Sequence, residues 1–186
     1  MKNKKEENLI WIDAEFSGLD KNKDRIIEIA VLVTNSNLKI QAIGPNIAIK
    51  TPKKILNNMD KWNTEHHTES GLVEKCLKSK ITTKQAEKKI LDFLEKWTLP
   101  QTSPLCGNSI GQDRIMILKD MPKLAKYFHY RSIDVSTIKE LSQRWYKNKY
   151  IAMKKKQTHT ALSDIEESID ELKYYKKNVF KKTFGK

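Results

Sequence analysis

Residues 9–16, LIWIDAEF, place two carboxylates directly after an apolar run that is typical of a buried β-strand. Side chains alternate along a strand, so Asp13 and Glu15 project from one face while Ala14 and Phe16 project from the other. Two carboxylates held side by side repel and raise each other's pKa, unless a cation lies between them. Oxygen ligands of this kind favour Mg²⁺ or Mn²⁺. The alternative is an ordinary Asp-x-Glu triplet at an exposed strand end, and the pair alone does not decide.

The order of the remaining segments predicts an α/β fold. Residues 25–34 and 40–49 have strand character, and residues 82–97 form a strongly amphipathic helix pattern. Two further strands are expected at 104–110 and 131–137, each followed by a helix, and Thr160 is a plausible N-cap for a last helix. Three opening strands followed by helices interleaved with two more strands indicate a sheet with helices packed on it.

Length and composition limit the class of protein. The chain has 186 residues and 38% hydrophobic content, without a repeat or a linker-like segment, so a single domain at 1–186 is expected. Its longest apolar runs fall far short of the roughly 20 residues that cross a bilayer, and the N-terminus lacks a signal-peptide pattern. Cys76 and Cys106 have no metal-site or disulfide spacing, which favours reduced thiols and a cytoplasmic location.

The net positive charge is only a weak indication of a polyanionic partner. The net charge is +13, but four of the 36 basic residues are arginine, so a general drift toward lysine explains much of it. Arginine presents a planar fork of donors that lysine lacks. Each of the few arginines is therefore a candidate for a role that a lysine could not fill.

More candidate groups come from two later segments. Asp113 follows the strand expected at 104–110, and Asp164 lies five residues after His159. Four acids and one histidine from three segments suit phosphoryl transfer with two divalent cations, with His159 deprotonating the attacking water. For any one of these residues alone, the alternative is a solvated surface carboxylate or a partly buried histidine without a catalytic role. The spacing of all five together disfavours that alternative.

These motifs resemble the histidine-bearing DEDD 3′→5′ exonucleases. The resemblance rests on WIDAEFSGLD, DRIIEIAVLVT, WNTEHHTESGL, CGNSIGQDR, YFHYRSIDVSTIKEL and THTALSDIEESIDEL, in that order, and covers about residues 8–176. It is closest to the branch that degrades very short RNA. The chain departs from that branch at Ala14, Phe16, Ser17 and Ser163, and none of these is a catalytic acid.

The resemblance implies a ribonuclease H-like fold, with a five-stranded mixed sheet flanked by helices, and a set of site residues. Asp13, Glu15 and Asp164 would ligate two Mg²⁺ or Mn²⁺ ions, with Asp113 completing the second site and His159 as general base. The residues implied in substrate binding are Leu19 and Trp62 against the bases, His67 near the substrate, Ser109, Arg131 and Ser136 around a 5′-phosphate, and Tyr130 from the other subunit of a homodimer. His66 stands where the family does not usually have a histidine.

The expected function is hydrolysis of very short single-stranded RNA to 5′-mononucleotides, the last step of RNA degradation. A related exonuclease that trims longer RNA or DNA ends is the alternative within enzymes, although the short chain argues mildly against it. A catalytically inactive nucleic-acid-binding module is the alternative outside enzymes. The intact acids and His159 disfavour that module.

Overall fold

The computed structural model of the chain describes residues 4–147 and 160–180, and its centre is a mixed β-sheet. The strands are β1 (Leu9–Phe16), β2 (Ile26–Thr34), β3 (Ile40–Ala48), β4 (Leu105–Gly107) and β5 (Ser132–Asp134). Their order is β3-β2-β1-β4-β5. β1 to β3 pair antiparallel, whereas β4 runs parallel to β1 and β5 parallel to β4. The predicted five-stranded mixed sheet is therefore confirmed.

Helices connect and cover this sheet. Within the described residues they are α1 (Lys53–Leu56), α2 (Lys61–Glu69), α3 (Leu72–Lys78), α4 (Thr83–Trp97), α5 (Gly111–Asp120), α6 (Pro122–Tyr127), α7 (Val135–Tyr146) and α8 (Ala161–Asn178), after a 3₁₀ turn at Lys4–Glu7. No helix in this part of the chain is both long enough and apolar enough to cross a membrane.

The two faces of β1 enter two different cores. Ile10, Ile12 and Ala14 pack with α4, α5 and α6 on one side of the sheet. Trp11 packs with α7 and α8 on the other side. Fully burying one such large apolar side chain contributes roughly 1.5–3 kcal/mol. Because Asp13 follows Trp11 at an interval of two, the strand directs its carboxylate toward the side that α8 covers.

The start of α8 is fixed by its cap. The Thr160 side chain accepts the backbone N–H of Ser163, and the Ser163 side chain accepts the backbone N–H of Thr160. This reciprocal capping confirms the predicted N-cap and satisfies two donors at the helix end. Asp164 therefore lies in the first turn of α8, beside the sheet.

The structure differs from the predicted elements at the end of β5 and at α6. The strand predicted at 131–137 ends at Asp134, because the Asp134 carboxylate accepts the Ser136 N–H at 2.9 Å and starts α7 there. Trp62 lies within α2, whose N-cap Asp60 accepts the Asn63 N–H. The helix α6, which begins at Pro122, was not predicted.

Candidate active site

Three carboxylates meet where β1 approaches the first turn of α8. Ligand oxygens of Asp13, Glu15 and Asp164 all lie within 4.8 Å of one another. Asp13 and Glu15 come from one face of β1, as the alternation predicted, and Asp164 comes from α8. Residues that are about 150 positions apart in sequence are thus brought to one point by the packing of α8 on the sheet.

Asp113 approaches the same point from the first turn of α5. Its Oδ1 accepts the backbone N–H of Ala14 at 3.0 Å, between the two carboxylates of β1. The side chain is buried and lines the same cavity as Asp13, Glu15 and Asp164. We call these four residues the acidic cluster.

Burial and mutual repulsion make the acidic cluster hard to ionise without a cation. Burial raises the pKa of Asp13 well above its ordinary value, and the charges of Asp113 and Glu15 raise it further. Burial raises the pKa of Glu15 to about 7, with Asp164 adding to the effect. The pKa of Asp113 is also raised to about 7 by burial, even though the Ala14 N–H partly offsets it.

The donor set of the acidic cluster fits divalent cations that prefer oxygen. Four carboxylates bring more negative charge into a buried place than the protein itself neutralises, and a bound cation removes that cost. Carboxylate-only sites suit Mg²⁺ or Mn²⁺ rather than softer metals. His159, the predicted general base, lies outside the described residues.

A cavity of about 980 Å³ opens above the acidic cluster. Leu19 and Trp62 both line it and are 70% and 66% exposed, respectively. The other lining residues include Phe16, Asp60, Asn63, His66, Asn108, Ser109, Gln112, Glu167 and Ser168. Two large apolar side chains are thus presented to solvent beside a concentration of negative charge.

A tight loop presents Leu19 to the cavity. The Asp24 carboxylate accepts the Ser17 hydroxyl at 3.0 Å and the Asp20 N–H at 2.9 Å. At Gly18, a Cβ atom would lie 2.4 Å from an oxygen of the same carboxylate. The lack of a side chain at Gly18 therefore lets Asp24 close the loop around Leu19.

Ser109 and Ser136 lie together at the ends of β4 and β5. Their hydroxyl oxygens are 3.2 Å apart, and the Ser109 N–H donates to Ser136 Oγ at 2.9 Å and to Asp134 Oδ1 at 3.0 Å. Ser109 has a positive φ of 50°, which only a minority of non-glycine residues adopt. The structure thus brings these two predicted residues into one hydrogen-bonded group, and Ser109 also lines the cavity.

Arg131 and Tyr130 precede β5 and are exposed. The Arg131 guanidinium lies 5.2 Å from the centre of the Tyr130 ring. Arg114 holds this segment from α5: its Nη2 donates to the carbonyls of His129 (3.0 Å) and Arg131 (3.2 Å). Its Nε donates to Ser132 Oγ at 3.1 Å. Neither Tyr130 nor Arg131 lines the cavity above the acidic cluster.

The two histidines of α2 have different environments. His67 is 1% exposed, and its Nε2 lies 2.9 Å from the Phe16 carbonyl oxygen. His66 lines the cavity, and its ring stacks on Trp62 with centroids 4.7 Å apart. The predicted substrate residue His67 therefore lies beneath the cavity surface, whereas its neighbour His66 reaches that surface.

Sequence reasoning missed two polar residues that organise the site. Asn108 donates from Nδ2 to Ser168 Oγ (2.8 Å) and to Glu171 (3.1 Å), and its Oδ1 accepts the Ser136 hydroxyl (3.0 Å). It thereby links the serine pair to α8. Arg114 is the second missed residue, although the scarcity of arginine was a signal that could have found it.

The fold of the chain is similar to that of several solved exonuclease structures. The chain superposes on exonuclease I from Methylocaldum szegediense with a TM-score of 0.68 at 14% identity, covering 92% of this chain and 41% of that one. It superposes on the zinc-bound form of an E. coli exonuclease I–single-stranded DNA complex with a TM-score of 0.68 at 15% identity, covering 92% and 41%. The chain thus spans about two-fifths of those longer proteins. At such low identity the likeness shows the fold, and the predicted ribonuclease H-like fold is confirmed.

Relatives of similar length share about half of the sequence. Residues 10–172 match the RNase_T exonuclease family model. The chain is 49% identical to oligoribonuclease of Acinetobacter baylyi, covering 97% of this chain and 98% of the relative. It is 53% identical to oligoribonuclease of Photorhabdus laumondii (94% and 97% covered) and 52% identical to that of Vibrio parahaemolyticus (95% and 97% covered). These matches, together with the acidic cluster beneath an open cavity, show that the chain belongs to the oligoribonuclease family of DEDD exonucleases.

Proposed function

We propose that this chain is a metal-dependent 3′→5′ exoribonuclease that hydrolyses very short RNA, dinucleotides above all, to 5′-mononucleotides. The observation that carries the proposal is the convergence of Asp13, Glu15, Asp113 and Asp164 in one cavity. The relatives that match nearly the whole chain are named oligoribonucleases. The reaction would finish RNA degradation, because its products are mononucleotides.

Two divalent cations per site, Mg²⁺ or Mn²⁺, are the proposed cofactors. Asp13, Glu15 and Asp164 would hold them, with Asp113 completing the second position. When bound, the cations supply positive charge for the attacking and leaving oxygens of the phosphodiester. The protein contributes fixed carboxylates, and His159 is proposed to take the proton from the attacking water.

The shape of the cavity supports a short substrate. Its volume of about 980 Å³ lies at the upper end of ordinary small-molecule pockets. Leu19 and Trp62 present exposed apolar surface on which bases can pack without sequence readout. A dinucleotide can place both bases there, whereas a long strand would extend beyond the cavity.

Selection of the shortest RNAs is proposed to come from contacts to the 5′-phosphate. Ser109 and Ser136 offer two adjacent hydroxyls, and Arg131 is an exposed guanidinium on the neighbouring segment. Hydroxyl and guanidinium donors are the ordinary ligands of phosphate oxygens. In a dinucleotide the 5′-phosphate is only one nucleotide from the bond that is cleaved. Side chains that bind the 5′-phosphate near the cleavage site therefore favour the shortest RNAs.

A homodimer is proposed to supply Tyr130 across the subunit boundary. Tyr130 is 74% exposed, which leaves its ring available to a second copy of the chain. Ile115 and Leu118 share one face of α5 and are 45% and 58% exposed. Apolar exposure on the helix that carries Asp113 supports an interface close to the site.

The cytoplasm remains the proposed location. Cys76 and Cys106 are both buried and free, and burial raises the pKa of the Cys76 thiol to about 11. Such thiols are poorly reactive and fit a reducing compartment.

One assay tests the central proposal. Purified protein is incubated with 5′-labelled RNAs of two to about ten nucleotides, with Mg²⁺, Mn²⁺ or EDTA. We expect the highest kcat/KM on the dinucleotide and no hydrolysis with EDTA. Asp113→Asn, which has the same size but one charge fewer, is the matched control and should hydrolyse far more slowly. Faster hydrolysis of the longest RNAs would favour a general end-trimming exonuclease, and binding without hydrolysis would favour an inactive module.

A further inference from the structure

The ring of His67 is held in one orientation by the backbone of β1. Its Nε2 lies 2.9 Å from the carbonyl oxygen of Phe16. A carbonyl oxygen only accepts, so Nε2 carries the proton and donates it. The other nitrogen, Nδ1, is then left with its lone pair. Metal-binding histidines typically have this arrangement, with the far N–H held by a carbonyl and the near nitrogen turned to the ion.

The free nitrogen of His67 lies near the carboxylate of Glu15 but forms no hydrogen bond with it. Nδ1 is buried without a hydrogen-bond partner among the described residues and lies 4.0 Å from Oε2 of Glu15. That distance is too long for a hydrogen bond. Nδ1 of His67 and Oε2 of Glu15 therefore leave a gap between them that a cation can fill.

A third donor lies beside this gap. Ligand atoms of His66, His67 and Glu15 are all within 4.8 Å of one another. Donor atoms around a tetrahedral Zn²⁺ are roughly 3.3 Å apart, given Zn–N and Zn–O lengths near 2.0–2.2 Å. The separations between the three donors would have to shorten by up to about 1.5 Å around such an ion.

We propose that Glu15, His66 and His67 form a binding site for one transition-metal cation, Zn²⁺ foremost. Two imidazoles and one carboxylate are a set that zinc prefers and Mg²⁺ does not. Because Glu15 also belongs to the acidic cluster, a zinc ion bound here withdraws that carboxylate from the Mg²⁺ or Mn²⁺ position. Occupation of the site therefore inhibits hydrolysis.

A purely structural role for His67 makes a different prediction. The hydrogen bond to Phe16 ties α2 to the end of β1, and that alone accounts for a buried neutral histidine. Such a tie does not involve His66, which lines the cavity and stacks on Trp62. Removing the His66 imidazole therefore separates the two roles without disturbing the His67 anchor.

Zinc affinity is measured by competition with a chromogenic chelator in an Asp164→Asn background. This background weakens the acidic cluster but keeps all three proposed ligands. We expect one Zn²⁺ to bind. His66→Gln should weaken the zinc affinity at least roughly 10- to 100-fold, since the loss of a residue that only supports a ligand already has that effect. His129→Gln, which removes a histidine outside the site, should leave the affinity unchanged.

Tryptophan fluorescence and the inhibition of hydrolysis give two further measurements of zinc binding. Zinc should change tryptophan fluorescence, because Trp62 stacks on His66, and Trp62→Phe should remove that signal while zinc still binds. With Asp164 intact and Mg²⁺ in excess, zinc should inhibit hydrolysis less in His66→Gln than in the unmodified chain, each relative to its own zinc-free rate.

Equal zinc affinity with and without His66 overturns the proposal, as does loss of zinc binding through Asp164→Asn alone. Neither result depends on which RNA is the substrate.

Discussion

The backbone N–H of Ala14 donates to Oδ1 of Asp113 at 3.0 Å. Ala14 lies between Asp13 and Glu15 on β1, so this bond fixes α5 against the strand at the centre of the acidic cluster. Asp113 uses one carboxylate oxygen for that bond, and its carboxylate is also proposed to contact a cation. The residue therefore has a structural contact and a proposed metal contact at the same time.

Replacement of Asp113 should separate those two contacts. Asp113→Asn keeps an oxygen that accepts the Ala14 N–H but loses the charge, so we expect a native fold and a loss of activity on the order of 10²–10³. Asp113→Ala loses both contacts and should also unfold more easily. Single-turnover hydrolysis and thermal denaturation in EDTA measure the two effects. Near-normal turnover in Asp113→Asn would remove Asp113 from the metal site.

The acidic cluster was predictable because strand alternation and a helix cap are local rules. The shared face of Asp13 and Glu15 follows from the period of a strand, and the place of Asp164 in the first turn of α8 follows from Thr160 as the N-cap. The environments of His66 and His67 were not predictable, since neighbouring helical residues point about 100° apart and only tertiary packing decides which one is buried.

Boundaries that depend on side-chain hydrogen bonds were also missed. The apolar residue Val135 fits a strand, yet Asp134 starts a helix at that point by accepting the Ser136 N–H. The three acceptors of Arg114 come from residues 15 to 18 positions later in sequence. A contact of that kind has no local pattern.

The stability of the metal-free protein should fall as pH rises. The pKa values of Glu15 and Asp113 are raised to about 7, so the folded chain binds more protons than the unfolded chain between their ordinary values and about 7. Stability therefore decreases as pH rises through that range. Thermal denaturation in EDTA at pH 5 and pH 8 measures it.

Magnesium should oppose this loss of stability at high pH. Mg²⁺ binds ionised carboxylates, so it should raise the Tm more at pH 8 than at pH 5. Asp113→Asn should show a shallower pH dependence in EDTA, since one of the titrating groups is gone. A metal-free Tm that rises between pH 5 and pH 8 would contradict the electrostatic account of the cluster.

His159→Ala should slow hydrolysis roughly 10²- to 10⁴-fold, the usual contribution of a general base. Metal binding should survive, because the four carboxylates remain. Calorimetric Mn²⁺ titration and the pH–rate profile measure the two properties. Loss of Mn²⁺ binding in this variant would make His159 a ligand instead of a base.

Leu118→Lys should dissociate the proposed homodimer. Leu118 is 58% exposed in one copy of the chain, so the substitution costs little in the monomer but places a charge in an apolar interface. Light scattering after size-exclusion chromatography measures the mass. Leu77→Lys, at another exposed leucine (48%), is the matched control. An unchanged dimer in Leu118→Lys would exclude this face of α5 from the interface.

Arg114→Lys should weaken the selection of 5′-phosphorylated dinucleotides without touching the substrate itself. The guanidinium of Arg114 holds two carbonyls and one hydroxyl of the segment that carries Tyr130 and Arg131. A lysine keeps the charge but has a single nitrogen, which cannot occupy the same three positions as a planar fork. The segment should then present Arg131 less accurately to a 5′-phosphate.

Comparison with Arg131→Lys tests whether Arg114 acts on the substrate only through Arg131. For both variants, kcat/KM is measured on pApA, on its 5′-hydroxyl counterpart and on a five-mer. Both should lose most on pApA, and the double variant should lose little more than Arg131→Lys alone, because Arg114 acts through Arg131. Arg144→Lys, on the exposed surface of α7, is the charge-matched control. Equal losses of Arg114→Lys on all three substrates would assign Arg114 to general stability, since a fold defect does not distinguish a phosphate from a hydroxyl at the 5′ end.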